Sequence, residues 1–100
     1  MLQAQIYIDK DELHGDRPMN EFVMDFLITH GITGATSFLA HAGFGKHHYL
    51  KTPSRLFSFD ELPMLIIFID EEEKVLRTLK ALRKEMPMGF IVTNKVDQFN

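Results

Sequence analysis

Polar and apolar residues alternate over residues 2–8, and this period of two is typical of a β-strand with one buried face. Residues 64–69 are instead six apolar residues in succession, which predicts a strand buried on both faces. Two further strands are predicted at residues 33–40 and 90–96, where β-branched and aromatic residues are frequent. The pattern therefore predicts four strands.

Two other segments repeat apolar residues with the period of an amphipathic helix. The stripe of the first helix consists of Met19, Phe22, Val23, Phe26 and Leu27. That of the second consists of Val75, Leu76, Leu79, Leu82 and Met86. Pro18 suits the first turn of the first helix, and Gly31 is placed to end that helix. We expect Asp70 to cap the second helix and Pro87 to stop it.

The predicted element order is β-α-β-β-α-β, with a long loop at residues 42–61 between the second and third strands. This order predicts a single α+β domain over residues 1–100 with the ferredoxin-like fold. Right-handed crossovers then place both helices on one face of a four-stranded antiparallel sheet. Since residues 64–69 are apolar throughout, three of their side chains would lie on the uncovered face. Such a patch is unusual on a monomer, so we expect subunits to associate through it.

The composition indicates which class of protein this is and excludes some kinds of site. The chain has a net charge of −3, 45% hydrophobic and 25% charged residues, and no cysteine. These values are typical of an ordinary globular domain and do not suggest a nucleic-acid partner, while disulfides and thiolate metal sites are excluded. No signal peptide or membrane-spanning run is visible, so we expect a cytoplasmic protein.

A glycine-rich stretch at residues 31–48 raises the question of a phosphate-binding loop. It is not a P-loop, because Ala40 stands where the first glycine belongs and His47 where the hydroxyl belongs. No helix begins after Gly45, so the dinucleotide fingerprint fails as well. Two interpretations stay open: the glycines only bend the chain, or they expose N–H groups in an anion-binding nest. The residues available to such a nest are Gly43, Gly45, Lys46, His47, His48, Lys51 and Arg55.

The sequence gives less support for catalysis or for metal binding. No serine lies in a nucleophile elbow, and no residue set carries the pattern of an active site, so we do not expect an enzyme. His41, His47 and His48 are candidate metal ligands, but they lack the paired spacing of a zinc site, which favours the interpretation that they are solvated loop histidines.

Three stretches together resemble the PII signal-transduction proteins and their relatives. They are GITGAT at residues 31–36, GFGK at residues 43–46 and LPMLIIFID at residues 62–70. They correspond to the entry to a strand, the base of the mobile T-loop and the strand that follows this loop. The resemblance extends over essentially the whole chain and is greatest to an uncharacterised PII-like family of about this length.

The resemblance implies a homotrimer whose sheets face inward, with an adenine nucleotide bound between neighbouring subunits. It places near the adenine the residues Gly34, Ala35 and Thr36. It places near the ribose and phosphates the residues Gly43, Gly45 and Lys46. The glycine-rich phosphate loop of PII proteins is missing before the last strand, where only Gly89 matches it. Without that loop, the phosphate groups of ATP would have to rely on Lys46 together with His47, Lys51, Arg55 or Lys95.

We therefore expect a non-enzymatic regulatory protein that binds a small anionic ligand, an adenine nucleotide, and signals through the loop at residues 46–59. No other cofactor is expected. One alternative is an interaction module without a small ligand, which docks onto a partner such as a membrane transport protein. Another is a metal-binding protein that uses the loop histidines.

Overall fold

The computed structural model describes residues 1–42 and 63–100. Its elements are β1 (Leu2–Asp9), β2 (Leu13–His14), β3 (Arg17–Pro18), α1 (Met19–Thr29), β4 (Ala35–Leu39), β5 (Pro63–Asp70), α2 (Glu72–Glu85) and β6 (Phe90–Lys95). The predicted signalling loop at residues 46–59 lies outside the described residues.

A four-stranded antiparallel sheet in the order β4-β5-β1-β6 forms the centre of the fold. The middle strands are β1 and β5, and their register places Ile6 opposite Ile66. On its other side, Ile6 lies opposite Ile91 of β6. With α1 and α2 packed on one face of this sheet, the predicted α+β ferredoxin-like fold is confirmed.

The hydrophobic core lies between the sheet and the two helices. The alternation in β1 directs Ile6 and its even-numbered neighbours into this core. The continuous apolar run of β5 contributes Ile66 and Phe68, which are both fully buried. Val23 of α1 and Leu82 of α2 cover these strands and have no exposed area. Removal of this apolar surface from water is the main stabilising contribution to the fold.

The other face of the sheet is not covered by any described element. Its apolar side chains, which we call the open face, are Tyr7, Phe38, Leu65, Ile67, Ile69, Phe90 and Val92. Phe38 and Phe90 are 52% and 64% exposed, and Ile69 is 41% exposed. The three alternate side chains of β5 therefore lie where the sequence predicted them. Association of subunits through this face stays a prediction.

Gly31 ends α1 as expected, with a φ of +83° and a hydrogen bond from its N–H to the carbonyl of Ile28. Two other boundaries differ from prediction. Pro18 is the residue before the helix and not a member of its first turn. The polar residues 10–17, which include Gly15, predict a loop, but this segment forms most of the small β2–β3 hairpin, in which His14 stacks on Phe22 with ring centroids 3.7 Å apart.

Two predictions for α2 are wrong. The residue at its N-cap position is Glu71 and not Asp70, and no side chain caps the helix. Leu76 was assigned to the buried stripe but is 50% exposed, whereas Thr78 takes a buried position. Of the helices among the described residues, none is both long and apolar enough to cross a bilayer.

The packing of the central strands predicts a large effect of truncation at Ile66. The variant Ile66→Ala should lower the free energy of unfolding by about 2–5 kcal/mol, because it leaves a cavity that the sheet cannot close. Chemical denaturation monitored by circular dichroism measures this loss. The matched control is Ile28→Ala, since Ile28 is 72% exposed on α1 and its truncation should change stability by less than about 0.5 kcal/mol. Equal losses in both variants would contradict this assignment of the core.

Candidate functional site

A cleft of about 320 Å³ lies at the end of the sheet where β1 ends and β5 and β6 begin. It is lined by Tyr7, Ile8, Asp9, Glu12, Pro63, Met88 and Gly89. Pro63 is the first residue after the undescribed segment 43–62, so the predicted loop rejoins the fold beside this cleft. Asp9 is paired with Pro63 in the sheet, which fixes the position of that wall.

Gly89 occupies the wall of the cleft in a conformation that favours glycine. Its φ is +91°, in the left-handed region. A Cβ atom at this position would lie 3.3 Å from Cγ2 of Ile8 and 3.4 Å from the carbonyl oxygen of Tyr7. A side chain here would therefore have a strained backbone conformation and would press on Ile8 by a few tenths of an ångström.

Arg83, near the end of α2, holds the segment that contains Gly89. Its guanidinium donates hydrogen bonds to three carbonyl oxygens: 3.3 Å to Met86, 2.7 Å to Met88 and 3.1 Å to Gly89. The planar fork of arginine can serve several acceptors at once. The turn between α2 and β6 is thus attached to the helix that precedes it.

At the opposite corner of the sheet, Asp70 holds the turn between α1 and β4. One carboxylate oxygen, Oδ2, accepts hydrogen bonds from the backbone N–H of Thr33 at 3.0 Å and from its hydroxyl at 3.2 Å. The other, Oδ1, accepts the N–H of Glu71 at 2.8 Å. Lys74 lies 3.2 Å from the carboxylate and also donates to the carbonyl of Gly31 at 3.0 Å. This network fixes the chain immediately before Gly34.

The electrostatics of Asp70 follow from these contacts. Its side chain is almost fully buried, and burial acts to raise the pKa of a carboxyl group. The hydrogen bonds from Glu71 and Thr33, together with the ammonium of Lys74, outweigh burial and place the pKa of Asp70 below its ordinary value. The carboxylate is therefore ionised at neutral pH and acts as a structural anchor.

The described residues of the predicted site form two groups, and these lie far apart within a single chain. Gly34, Ala35 and Thr36 lie at the start of β4, whereas Gly89 lies just before β6. These strands are opposite edges of the sheet, three strand spacings or about 14 Å apart. The two groups also lie at opposite ends of the sheet, since Ala35 is level with Phe68 near the end of β5, whereas Gly89 precedes Phe90, which pairs with Tyr7 near the end of β1.

The remaining predicted residues lie outside the described residues. They are Gly43, Gly45, Lys46, His47, Lys51 and Arg55. For the proposed metal site, His41 is exposed and His47 and His48 are not described. Within residues 1–42 and 63–100, no three histidine, aspartate or glutamate side chains form a group that could hold a metal ion.

Sequence reasoning missed the roles of Asp70 and Arg83. Glu73 follows Asp70 at the spacing of a capping box, and this spacing predicts a helix cap at Asp70. In the sequence, Arg83 is one of the cations near the end of the second helix, where positive charge suits the helix dipole. No local signal could reveal that Thr33 and Gly89 are their partners, because tertiary structure brings these residues together.

Comparison with known proteins agrees with this architecture. A family profile, DUF190, described as "Uncharacterized ACR, COG1993", matches residues 1–98. A UPF0166 protein of Aquifex aeolicus (strain VF5) is 30% identical over 79 residues, which cover 79% of this chain and 75% of the relative.

Solved structures show the same fold. The structure of CPII from Thiomonas intermedia K12 bound to ADP and bicarbonate has a TM-score of 0.66 and 20% identity, covering 93% of this chain and 82% of that one. A structure of CPII, described as a nitrogen regulatory PII-like protein and bound to ADP, AMP and bicarbonate, has a TM-score of 0.63 and 21% identity, with the same coverage of both chains. At this identity the similarity establishes the PII-like fold.

The depressed pKa of Asp70 predicts that the stability difference between wild type and Asp70→Asn depends on pH. At pH 7, Asp70→Asn should lower the free energy of unfolding by about 1.5–3 kcal/mol, because charge-assisted hydrogen bonds are lost. The carboxylate stabilises the fold above the unfolded-state pKa, near 3.8, and this contribution is lost as pH falls through the lower folded-state value. Denaturation at a series of pH values should show the gap between the two proteins narrowing as pH falls below 3.8.

The control for this series is Asp25→Asn. Asp25 is exposed and pairs with Arg17 on the protein surface, so its loss should cost less than about 1 kcal/mol at any pH. A gap between wild type and Asp70→Asn that stays constant down to pH 2 would contradict the anchoring role of the charge.

The conformation of Gly89 predicts that a methyl group there is harmful. Gly89→Ala should cost about 1–2 kcal/mol of stability, because its φ is in the left-handed region. Thermal and chemical denaturation measure this cost. Gly34→Ala is the matched control, since no atom lies within 4 Å of a Cβ added at Gly34. A neutral Gly89→Ala would show that the turn before β6 relaxes freely.

Proposed function

The chain belongs to the DUF190 family, and from this premise we propose that it is a non-enzymatic, PII-like regulatory protein. Three copies associate through the open face of the sheet. Each interface between neighbouring copies binds an adenine nucleotide. The loop at residues 46–59 transmits the state of this site to a partner.

The observation that carries the proposal is the exposure of an apolar sheet face. The open face presents four aromatic or large aliphatic side chains at the surface, namely Tyr7, Phe38, Ile69 and Phe90. Contiguous apolar surface of this kind usually marks an interaction site. Burial of the open face in a closed homotrimer removes this surface from water, and closed symmetry leaves no copy of it exposed.

The positions of the two groups of site residues support a site between subunits. Gly34, Ala35 and Thr36 are at one edge and end of the sheet, and Gly89 is at the opposite edge and end. A ligand of nucleotide size cannot contact both groups in one chain. If neighbouring copies place the β4 edge of one beside the β6 edge of the next, the two groups face a shared cleft.

The identity of the ligand is supported by the structural relatives. Both CPII structures contain ADP and bicarbonate, and one of them also contains AMP. In this chain, backbone amides near Gly89 and the cations Lys46, His47, Lys51 and Arg55 are available for an anionic group. A nucleotide with few phosphates is favoured, since Gly89 is the only glycine in the turn before β6.

Native mass spectrometry and calorimetry test this function together. The wild-type protein should have the mass of three chains of 11.6 kDa each and should bind ADP or AMP with one site per chain. Replacement of Ile69 by aspartate should give monomers that have lost nucleotide binding, because a charge cannot be buried at the interface without a partner. Ile28→Asp, on the exposed side of α1, should remain trimeric and bind normally.

Each result has a distinct meaning. A monomeric wild-type protein would contradict the role of the open face. A trimer that gives no heat with ATP, ADP, AMP or cyclic AMP would contradict the nucleotide site and favour an interaction module without a small ligand. Retention of binding by a monomeric Ile69→Asp variant would contradict a site between subunits.

A further inference from the structure

The contacts of Arg83 extend beyond those of a helix cap. Only Met86 among its three acceptors is at the end of α2; Met88 and Gly89 lie beyond the helix. Within residues 1–42 and 63–100, the structure shows no ion pair between Arg83 and a carboxylate. The donors of the guanidinium are thus directed to the backbone of the turn between α2 and β6.

These hydrogen bonds determine how the peptide units of the turn are oriented. None of the described peptide bonds is cis, so the N–H of each unit points opposite to its carbonyl. The carbonyl of Met88 points at Arg83, at 2.7 Å, and the N–H of Gly89 in the same unit therefore points away from Arg83. Met88 and Gly89 line the cleft, whereas Arg83 does not. The N–H of Gly89 therefore lies on the side of the turn away from Arg83, in a peptide unit between two residues that line the cleft.

We propose that Arg83 is a positioning residue of the cleft: it holds the carbonyls of the turn on the α2 side, so that the peptide N–H of Gly89 can donate to an anionic oxygen of the ligand. The ligand group is a phosphate or a carboxylate. This inference rests on the proposed function, because it assigns a role to Arg83 within the same nucleotide site.

Arginine is required for this role because three acceptors must be held at once. The guanidinium has five N–H donors in a rigid plane, whereas a lysine ammonium is a single point with flexible geometry. A lysine at this position can keep the charge and at most part of the contact set. A glutamine loses the charge and the fork together.

Calorimetric titration with AMP and with adenosine tests the proposal, since the two probes differ only in the phosphate. In Arg83→Gln, AMP should bind about tenfold more weakly, as expected for the loss of one well-placed hydrogen bond to a charged group. Adenosine should bind as it does to wild type, because its contacts do not involve the turn. Arg83→Lys should give an intermediate affinity for AMP.

Lys80→Gln is the matched control, because it removes one positive charge from the exposed face of the same helix. Its AMP affinity should equal that of wild type. Trimer mass and melting temperature are measured for every variant, and Arg83→Lys decides the question if Arg83→Gln does not fold. Bound AMP should protect the amide of Gly89 from hydrogen exchange in wild type, and this protection should be smaller in both Arg83 variants.

The outcomes separate this inference from the function on which it rests. If wild type binds neither AMP nor ADP, the proposed nucleotide site is wrong, and the role of Arg83 is wrong with it. If wild type binds AMP and Arg83→Gln binds it equally well, only the positioning role is overturned. Equal weakening of AMP and adenosine would likewise overturn it, because Arg83 would then support the fold without orienting a phosphate contact.

Discussion

The register between β1 and β5 is the constraint on which the rest of the structure depends. Pairing Ile6 with Ile66 sends one set of side chains under the helices and the alternate set to the open face. A shift of one residue would expose the core and bury the polar residues of β1. Both the hydrophobic core and the exposed apolar face therefore follow from one pairing.

The same register places the ends of the strands, and with them the two corners where the turns are anchored. Asp70 ends β5 and reaches across to Thr33, while Arg83 leaves α2 and reaches the turn before β6. Each anchor is a charged side chain that binds backbone groups of a turn. Such contacts hold the backbone of each turn in one conformation, and at Asp70 the hydroxyl of Thr33 adds a side-chain contact.

Much of the fold could be predicted because it depends on local patterns. The alternation in residues 2–8 and the apolar run at residues 64–69 identified both central strands, and Gly31 marked the end of α1. The errors occurred where neighbours outside the local pattern decide the result. Leu76 has helical spacing but lies beyond the edge of the buried stripe, because the sheet covers the face centred on Val75 and Leu82.

The candidate site, like the fold, could be predicted from the sequence only in part. By itself, the sequence determined the element order, the apolar third strand of the predicted fold and the glycine positions that resemble a ligand site, because each is a property of contiguous residues. Tertiary structure alone decided that Gly34 and Gly89 lie at opposite corners, and that Asp70 and Arg83 hold the turns beside them. These relations depend on strand order and register, which join residues far apart in the chain and leave no trace in the local pattern.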